Sequence, residues 1–166
     1  MGLFDRFKAN KIETTPGVVY APMSGKVIPM EEIPDPVFSQ GVVGLGCGLE
    51  PEDGEVAAPF NGKVVSVTDT KHAIGIQSDD GIEILIHVGM DTVQMNGDGF
   101  VLKVKEGDRV SCGQILIKCD LGKIKKAGYP TTTAVIVTNA MDYENVEFTP
   151  AEHVDKTNPI GNCKRR

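Results

Sequence analysis

The stretch TKHAIGIQSDDGIEILIHVGMD, residues 70–91, decides the fold. Two apolar runs flank Asp79-Asp80-Gly81, and Asp-Gly between such runs is a strong signal for a two-residue hairpin turn. With Asp80 and Gly81 as the turn, Asp79 faces Ile82 and Ile74 faces His87. His72 then lies diagonally across from His87 on the same face of the sheet. Diagonal neighbours stand roughly 7–8 Å apart at Cα, within reach of long side chains. A slip of one residue would send the two rings to opposite faces. In the chosen register Ile82, Ile84, Ile86 and Val88 line one face, assigned to the core, while Glu83, Leu85 and His87 line the other.

Two neighbouring imidazoles on a sheet suit metal binding, proton transfer or the carriage of a phosphoryl group. A neutral imidazole nitrogen is a good nucleophile near neutral pH. A second histidine can donate a hydrogen bond to the phosphoryl oxygens, and Thr70, two residues before His72, can orient that ring. Either histidine alone reads as a structural residue. As a pair, in a chain with only three histidines, they read as a site.

Beyond the hairpin, nineteen glycines and ten prolines break the chain into short β-like runs rather than long helices. Ala21-Pro-Met-Ser-Gly-Lys-Val27 recurs as Ala58-Pro-Phe-Asn-Gly-Lys-Val64, each copy leading into a strand, which marks a duplicated β-unit. Gly107–Ile117 reads as turn, short strand, turn, strand, and Ala134–Thr138 as a buried strand. The helix candidates are Leu121–Ala127 and Asp142–Val146. The expected fold is all-β, an antiparallel β-sandwich or barrel with an internal duplication and one or two short helices. Residues 1–16 are expected to form a flexible tail and 17–166 the domain.

At 166 residues and 40% hydrophobic content the chain can bury one sizeable core, and no apolar run is long enough to span a membrane. Cys47, Cys112, Cys119 and Cys163 lack metal or CxxC spacing and read as free thiols of the cytoplasm. The net charge of −6 is uneven: residues 1–12 carry +2 and the last three +3, leaving −11 on the 151 between. Such a body repels nucleic acid and suits basic partners. In the first ten residues Leu3, Phe4 and Phe7 share a helical face flanked by Arg6, Lys8 and Lys11. This pattern suits weak contact with an anionic membrane, though the segment is too short to be helical alone in water. Gly2 is no myristoylation site, because Arg6 stands where the motif needs Ser or Thr.

From about Ala21 to Thr138 the chain resembles the glucose-specific IIA component of the bacterial phosphoenolpyruvate-dependent sugar phosphotransferase system. The stretches that carry the resemblance are APMSGKVIPMEEIPDPVFSQGVVGLG, APFNGKVVSVTDTKHAIGIQSDDGIEILIHVGMDTV, GDGF and EGDRVSCGQILIKCD. The combination of TxHA with LxHxGxDTV is highly specific, and MGLFDRFK resembles that family's membrane-touching tail. The resemblance implies a β-sandwich in which His87 accepts a phosphoryl group on Nε2 from the histidine-containing phosphocarrier protein. His87 would pass it to a cysteine on the IIB domain of a sugar permease. It implies that His72 steadies the phosphoryl group, Thr70 orients His72, and the Gly89 carbonyl holds the other nitrogen of His87. Asp91 and Asp35 would meet arginines on the partners, and Phe38, Val42, Val43 and Val93 would form an apolar docking rim. No cofactor would be required. The protein would be cytoplasmic, with peripheral membrane contact through residues 1–11.

Thr149–Arg166 departs from the family pattern, lacking its closing alternation of apolar residues, so the last strand is expected to be short, displaced or frayed. Pro36 and Gly41 also depart from it in the docking segment. Two other readings compete. A zinc hydrolase would use His72, His87 and Asp91, but such enzymes commonly need an HxH spacing that is absent. A lesser form of that idea is a zinc ion held by His72 and His87 together with a partner's carboxylate. A biotinyl or lipoyl module would share the GDxVxxGQ and APxxGKV segments, but it needs a modifiable lysine beside methionine, and no Met-Lys pair occurs.

Overall fold

Glycine, proline and Asx turns cut the chain into strands of two to seven residues, and the computed structural model describes residues 12–166. The expected membrane-touching segment at residues 1–11 lies outside the described residues. In order, the strands are β1 (Val18–Tyr20), β2 (Gly25–Pro29), β3 (Leu45–Pro51), β4 (Glu55–Ala57), β5 (Gly62–Val67), β6 (Ala73–Ser78) and β7 (Glu83–His87). They continue with β8 (Phe100–Leu102), β9 (Arg109–Val110), β10 (Ile115–Cys119), β11 (Thr133–Val137), β12 (Tyr143–Phe148), β13 (Ala151–Val154) and β14 (Pro159–Arg165). The α-helices are α1 (Pro36–Ser39) and α2 (Leu121–Lys126). An eight-stranded sheet runs β13-β2-β3-β11-β7-β6-β5-β9, beside three-stranded sheets β1-β14-β12 and β4-β10-β8. The strand pairs are antiparallel, as expected of an all-β sandwich.

The duplicated motif occupies equivalent places. β2 and β5 each open on the repeated glycine and each pairs with the strand that follows. A side chain on Gly25 would strike the Glu50 carbonyl, and one on Gly62 the Gln77 carbonyl. Both copies therefore need a residue without Cβ where two strands close in.

Alternation splits the central sheet into two faces. Ile74, Ile76, Ile84, Ile86, Val135 and Val137 point into the main core with Leu49, Val64, Leu116 and Ile117. The opposite face carries a smaller cluster of Ile33, Phe38, Met90, Ala134 and Ile136, backed by Met30, Val43 and Leu85. The segment from residue 30 to 43 covers that face. Gly48 lets it lie close, since a Cβ there would come within 2.9 Å of Ile33 Cγ1.

Three sequence expectations are corrected. The β6–β7 hairpin is shifted by one residue: Ala73 faces His87, Ile74 faces Ile86 and Gln77 faces Glu83. The Asp-Gly signal yields to the Ser78 hydroxyl, which accepts from the Ile82 amide (2.8 Å) and donates to the Asp80 carboxylate (2.6 Å). The backbone closes between Ser78 and Ile82, and the loop becomes three residues with Gly81 at φ +101°. Second, Asp142–Val146 is not a helix: a single 3₁₀ turn at Ala140–Asp142 runs into β12, and the helix that composition hid is α1. Asp35 caps α1 by accepting from the Val37 amide, with Pro36 at its first turn. Third, the C-terminal segment is no frayed end. β14 is a central strand of seven residues, paired on both sides. Register shifts on both ladders blur the apolar alternation that would have announced it.

Candidate functional site

Strand alternation places His87, at the end of β7, on the face with Leu85, and half-buries it. By the observed register His72 belongs to the opposite parity. It meets His87 nonetheless, because β6 begins only at Ala73 and the preceding Lys71 is left-handed at φ 62°. The ring is thereby freed from alternation at the end of the sheet. It stands edge-on to His87, centroids 4.7 Å apart at 83°, and Phe100 lies 6.4 Å from it at 69°. The predicted pairing of the rings holds, by a different route from the one the turn suggested.

Each ring is tied at Nδ1. Thr70 Oγ1 lies 2.7 Å from His72 Nδ1, and the Gly89 carbonyl lies 2.8 Å from His87 Nδ1. A carbonyl can only accept, so His87 carries its proton on Nδ1 and leaves a lone pair on Nε2. The Thr70 hydroxyl can donate to His72 Nδ1, which leaves a proton on His72 Nε2. One ring thus offers a nucleophile and the other a donor. Among the described residues neither Nε2 has a hydrogen-bond partner, and neither is sealed from solvent.

Phe38 lies against His87, centroids 5.0 Å apart, and is buried rather than standing at a rim. Val43 packs into the same cluster, whereas Val42 and Val93 are 73% and 46% exposed. Asp35 and Asp91 act on His87 through their charge rather than through a hydrogen bond. Asp91 is exposed and left-handed at φ 61°, and Asp35 spends its carboxylate on capping α1. Sequence reasoning missed Val37, exposed beside Phe38, and Phe100, the buried ring next to His72. Both lie in the quoted stretches, where adjacency to Phe38 and the GDGF segment were the available signals. His153 stays on the surface between Glu52 (2.7 Å) and Asp155 (3.1 Å). Among the described residues no three His, Cys, Asp or Glu converge as metal ligands, and the four cysteines are free.

Burial, then the neighbouring His87, pushes the pKa of His72 down to about 4. Burial also lowers that of His87, against the pull of the Gly89 carbonyl, Asp35 and Asp91. Both rings are therefore neutral near pH 7, which keeps the lone pair on His87 Nε2. The unfolded chain binds protons at His72 near pH 6.5 and the folded chain only near pH 4, so stability is fully present above 6.5 and falls as the pH drops between them. Part of the ring edge meets water, so the loss should be about 1–2 kcal/mol. Urea titrations from pH 7 to pH 4 should record it, and His72→Gln should flatten that slope. An unchanged slope in the variant would mean that other groups carry the effect.

Comparison with known proteins agrees with this geometry. The family described as phosphoenolpyruvate-dependent sugar phosphotransferase system, EIIA 1, matches residues 17–143. The chain belongs to this family. A PTS system beta-glucoside-specific EIIBCA component from Bacillus subtilis (strain 168) is 47% identical over 142 residues. That match covers 86% of this chain but only 23% of the relative, so the chain spans about a quarter of that protein's length. The solved structure of glucose permease IIA from Mycoplasma capricolum superposes with a TM-score of 0.79 at 33% identity, covering 87% of this chain and 93% of that one. As an EIIA domain the chain is a phosphotransferase component, a phosphoryl carrier of the sugar phosphotransferase system that works through phosphohistidine. That membership sets aside the zinc-hydrolase and biotinyl readings. No helix among the described residues is long and apolar enough to cross a membrane.

Proposed function

We propose that His87 is the phosphoryl carrier and that its Nε2 is the atom that bears the group. The observation that carries this reading is the 2.8 Å contact between His87 Nδ1 and the Gly89 carbonyl, which puts the single proton of the neutral ring on Nδ1 and leaves Nε2 with its lone pair. The donor is the histidine-containing phosphocarrier protein. A P–N bond forms at His87 Nε2 as the P–N bond on the donor's imidazole breaks. No proton needs to move, because the attacking nitrogen carries none and Nδ1 keeps its own. The group then passes to a cysteine thiolate on the IIB domain of a glucose-type sugar permease: a P–S bond forms, and the electron pair of the P–N bond returns to Nε2. His72 donates from Nε2–H to the phosphoryl oxygens, and Thr70 holds His72 in the orientation that aims that proton.

Phosphoryl transfer asks for positioning and charge stabilisation more than for covalent chemistry. A site between two proteins must also shed water when they dock. Val42 and Val93, both exposed, supply apolar surface for docking, backed by the buried Phe38 and the half-buried Val43, with Asp35 and Asp91 as charged partners for basic residues on both visitors. The phosphoryl group arrives activated, so the cycle calls for no cofactor. Such a domain works in the cytoplasm, beside the membrane that holds the permease. Contact of residues 1–11 with anionic lipid would keep it there.

Incubation with phosphoenolpyruvate, the system's general enzyme and its phosphocarrier should add one acid-labile, base-stable phosphate per chain. More than one phosphate, or an acid-stable one, would contradict the assignment.

A further inference from the structure

Thr92 is fully buried, lies outside both rings, and has no part in the cycle described above. Its hydroxyl donates to the Val88 carbonyl at 2.6 Å. A buried hydroxyl needs a partner, but this one has chosen the turn that carries the tautomer-setting group. The chain from Val88 to Asp91 reverses sharply, with Gly89 at φ 73° and Asp91 at φ 61°. Ties on either side bracket the Gly89 peptide. The Val88 amide donates to the His72 carbonyl (2.8 Å), Thr92 holds the Val88 carbonyl, and the Met90 amide donates to the Pro130 carbonyl (3.1 Å). The Thr92 methyl adds a steric stop, since it occupies the space that a Cβ on Gly89 would need. Of the three hydrogen bonds only the one from Thr92 is made by a side chain.

We propose that Thr92 is a positioning residue: clamped on the Val88 carbonyl, it keeps the Gly89 carbonyl on His87 Nδ1 and so fixes the tautomer that leaves Nε2 free to attack. The inference rests on the reading that His87 is the acceptor. Without the clamp the turn loses one of the constraints that aim Gly89. The His87 proton is then released to distribute between both nitrogens, and each molecule with the proton on Nε2 is inert.

The test uses the full chain with Thr92→Val, which keeps the methyl and loses the donor, and Thr92→Ser, which keeps the donor and loses the methyl. Ring ¹⁵N shifts of His87 report which nitrogen is protonated, and uptake from the phosphocarrier reports the rate. Thr92→Val should show a mixed tautomer and uptake slowed roughly tenfold, in the range typical of partners that orient a reacting ligand. Thr92→Ser should restore both towards the parent. A purely structural threonine would lower stability in Thr92→Val without moving the tautomer, and that result overturns the proposal. If Thr92→Val does not fold, Thr92→Cys, with its weak donor, should give an intermediate tautomer, and a parent-like one overturns the proposal. Failure of the parent to label at His87 would defeat the assignment of the acceptor, while the ¹⁵N shifts would still decide what Thr92 does to the ring.

Discussion

Replacing His87 with Gln should reduce phosphate uptake by at least about a thousandfold while leaving the fold in place. An amide nitrogen is a poor nucleophile, and no neighbour can deputise. His72 has Nδ1 engaged by Thr70, and with that hydroxyl donating, its own proton sits on Nε2 and no lone pair is left to attack. His153 is held at both nitrogens by Glu52 and Asp155 on another part of the surface. Because His87 is only half-buried and lies at the end of β7, the change should cost about 1 kcal/mol of stability. Loss of label with a melting temperature lowered by only about 2–4 °C would therefore report chemistry. A variant that labels as fast as the parent would show that the carrier nitrogen lies elsewhere.

Replacing His72 with Gln should divide the two half-reactions. Uptake should stay within a few-fold of the parent, while onward transfer should fall by roughly 10²–10³, the usual cost of removing a donor aimed at developing charge. The asymmetry follows from the nucleophiles. His87 attacks as a neutral ring, but the accepting thiolate is an anion approaching a phosphoryl group that is already negative. His72 can answer that charge. Burial and His87 keep it neutral in the empty site, with a pKa of about 4, whereas a phosphoryl group alongside would favour the imidazolium. Glutamine can donate a hydrogen bond but can never take up a proton. Rates of label transfer to a IIB domain, measured after stoichiometric loading, separate the steps. Equal losses in both directions, or none in the second, would contradict this role for His72.

Much of this was legible in the chain. The period-two run from Ile82 to Val88 gave the core face without help from any other segment, and the repeated APxxGKV marked two equivalent strands. The two rings, Thr70 and Gly89 all stand within one hairpin, so local pattern could place them together. What escaped depended on side chains overriding local signals. Ser78 captured the Ile82 amide and displaced the Asp80-Gly81 turn by one residue. A left-handed Lys71, which no propensity announces, then brought His72 back to its partner. The short helix at Pro36 was hidden because four residues show no helical period, although Asp35 before Pro36 is a capping signal. β14 was misread because its pairing is interrupted on both sides, so the segment Asn158–Arg166 shows an irregular pattern despite a central place in its sheet. Thr92 could not be read at all, since the meaning of its hydroxyl lies in a carbonyl four residues back in a turn.

The central claim is that the phosphoryl group sits on one atom, Nε2 of His87. Phosphorylating the ¹⁵N-histidine-labelled protein and recording ¹⁵N–³¹P coupling tests it directly. The coupling should fall on Nε2 of His87, with His87 Nδ1 still protonated against Gly89. Coupling to Nδ1, or to a nitrogen of His72 or His153, would contradict it.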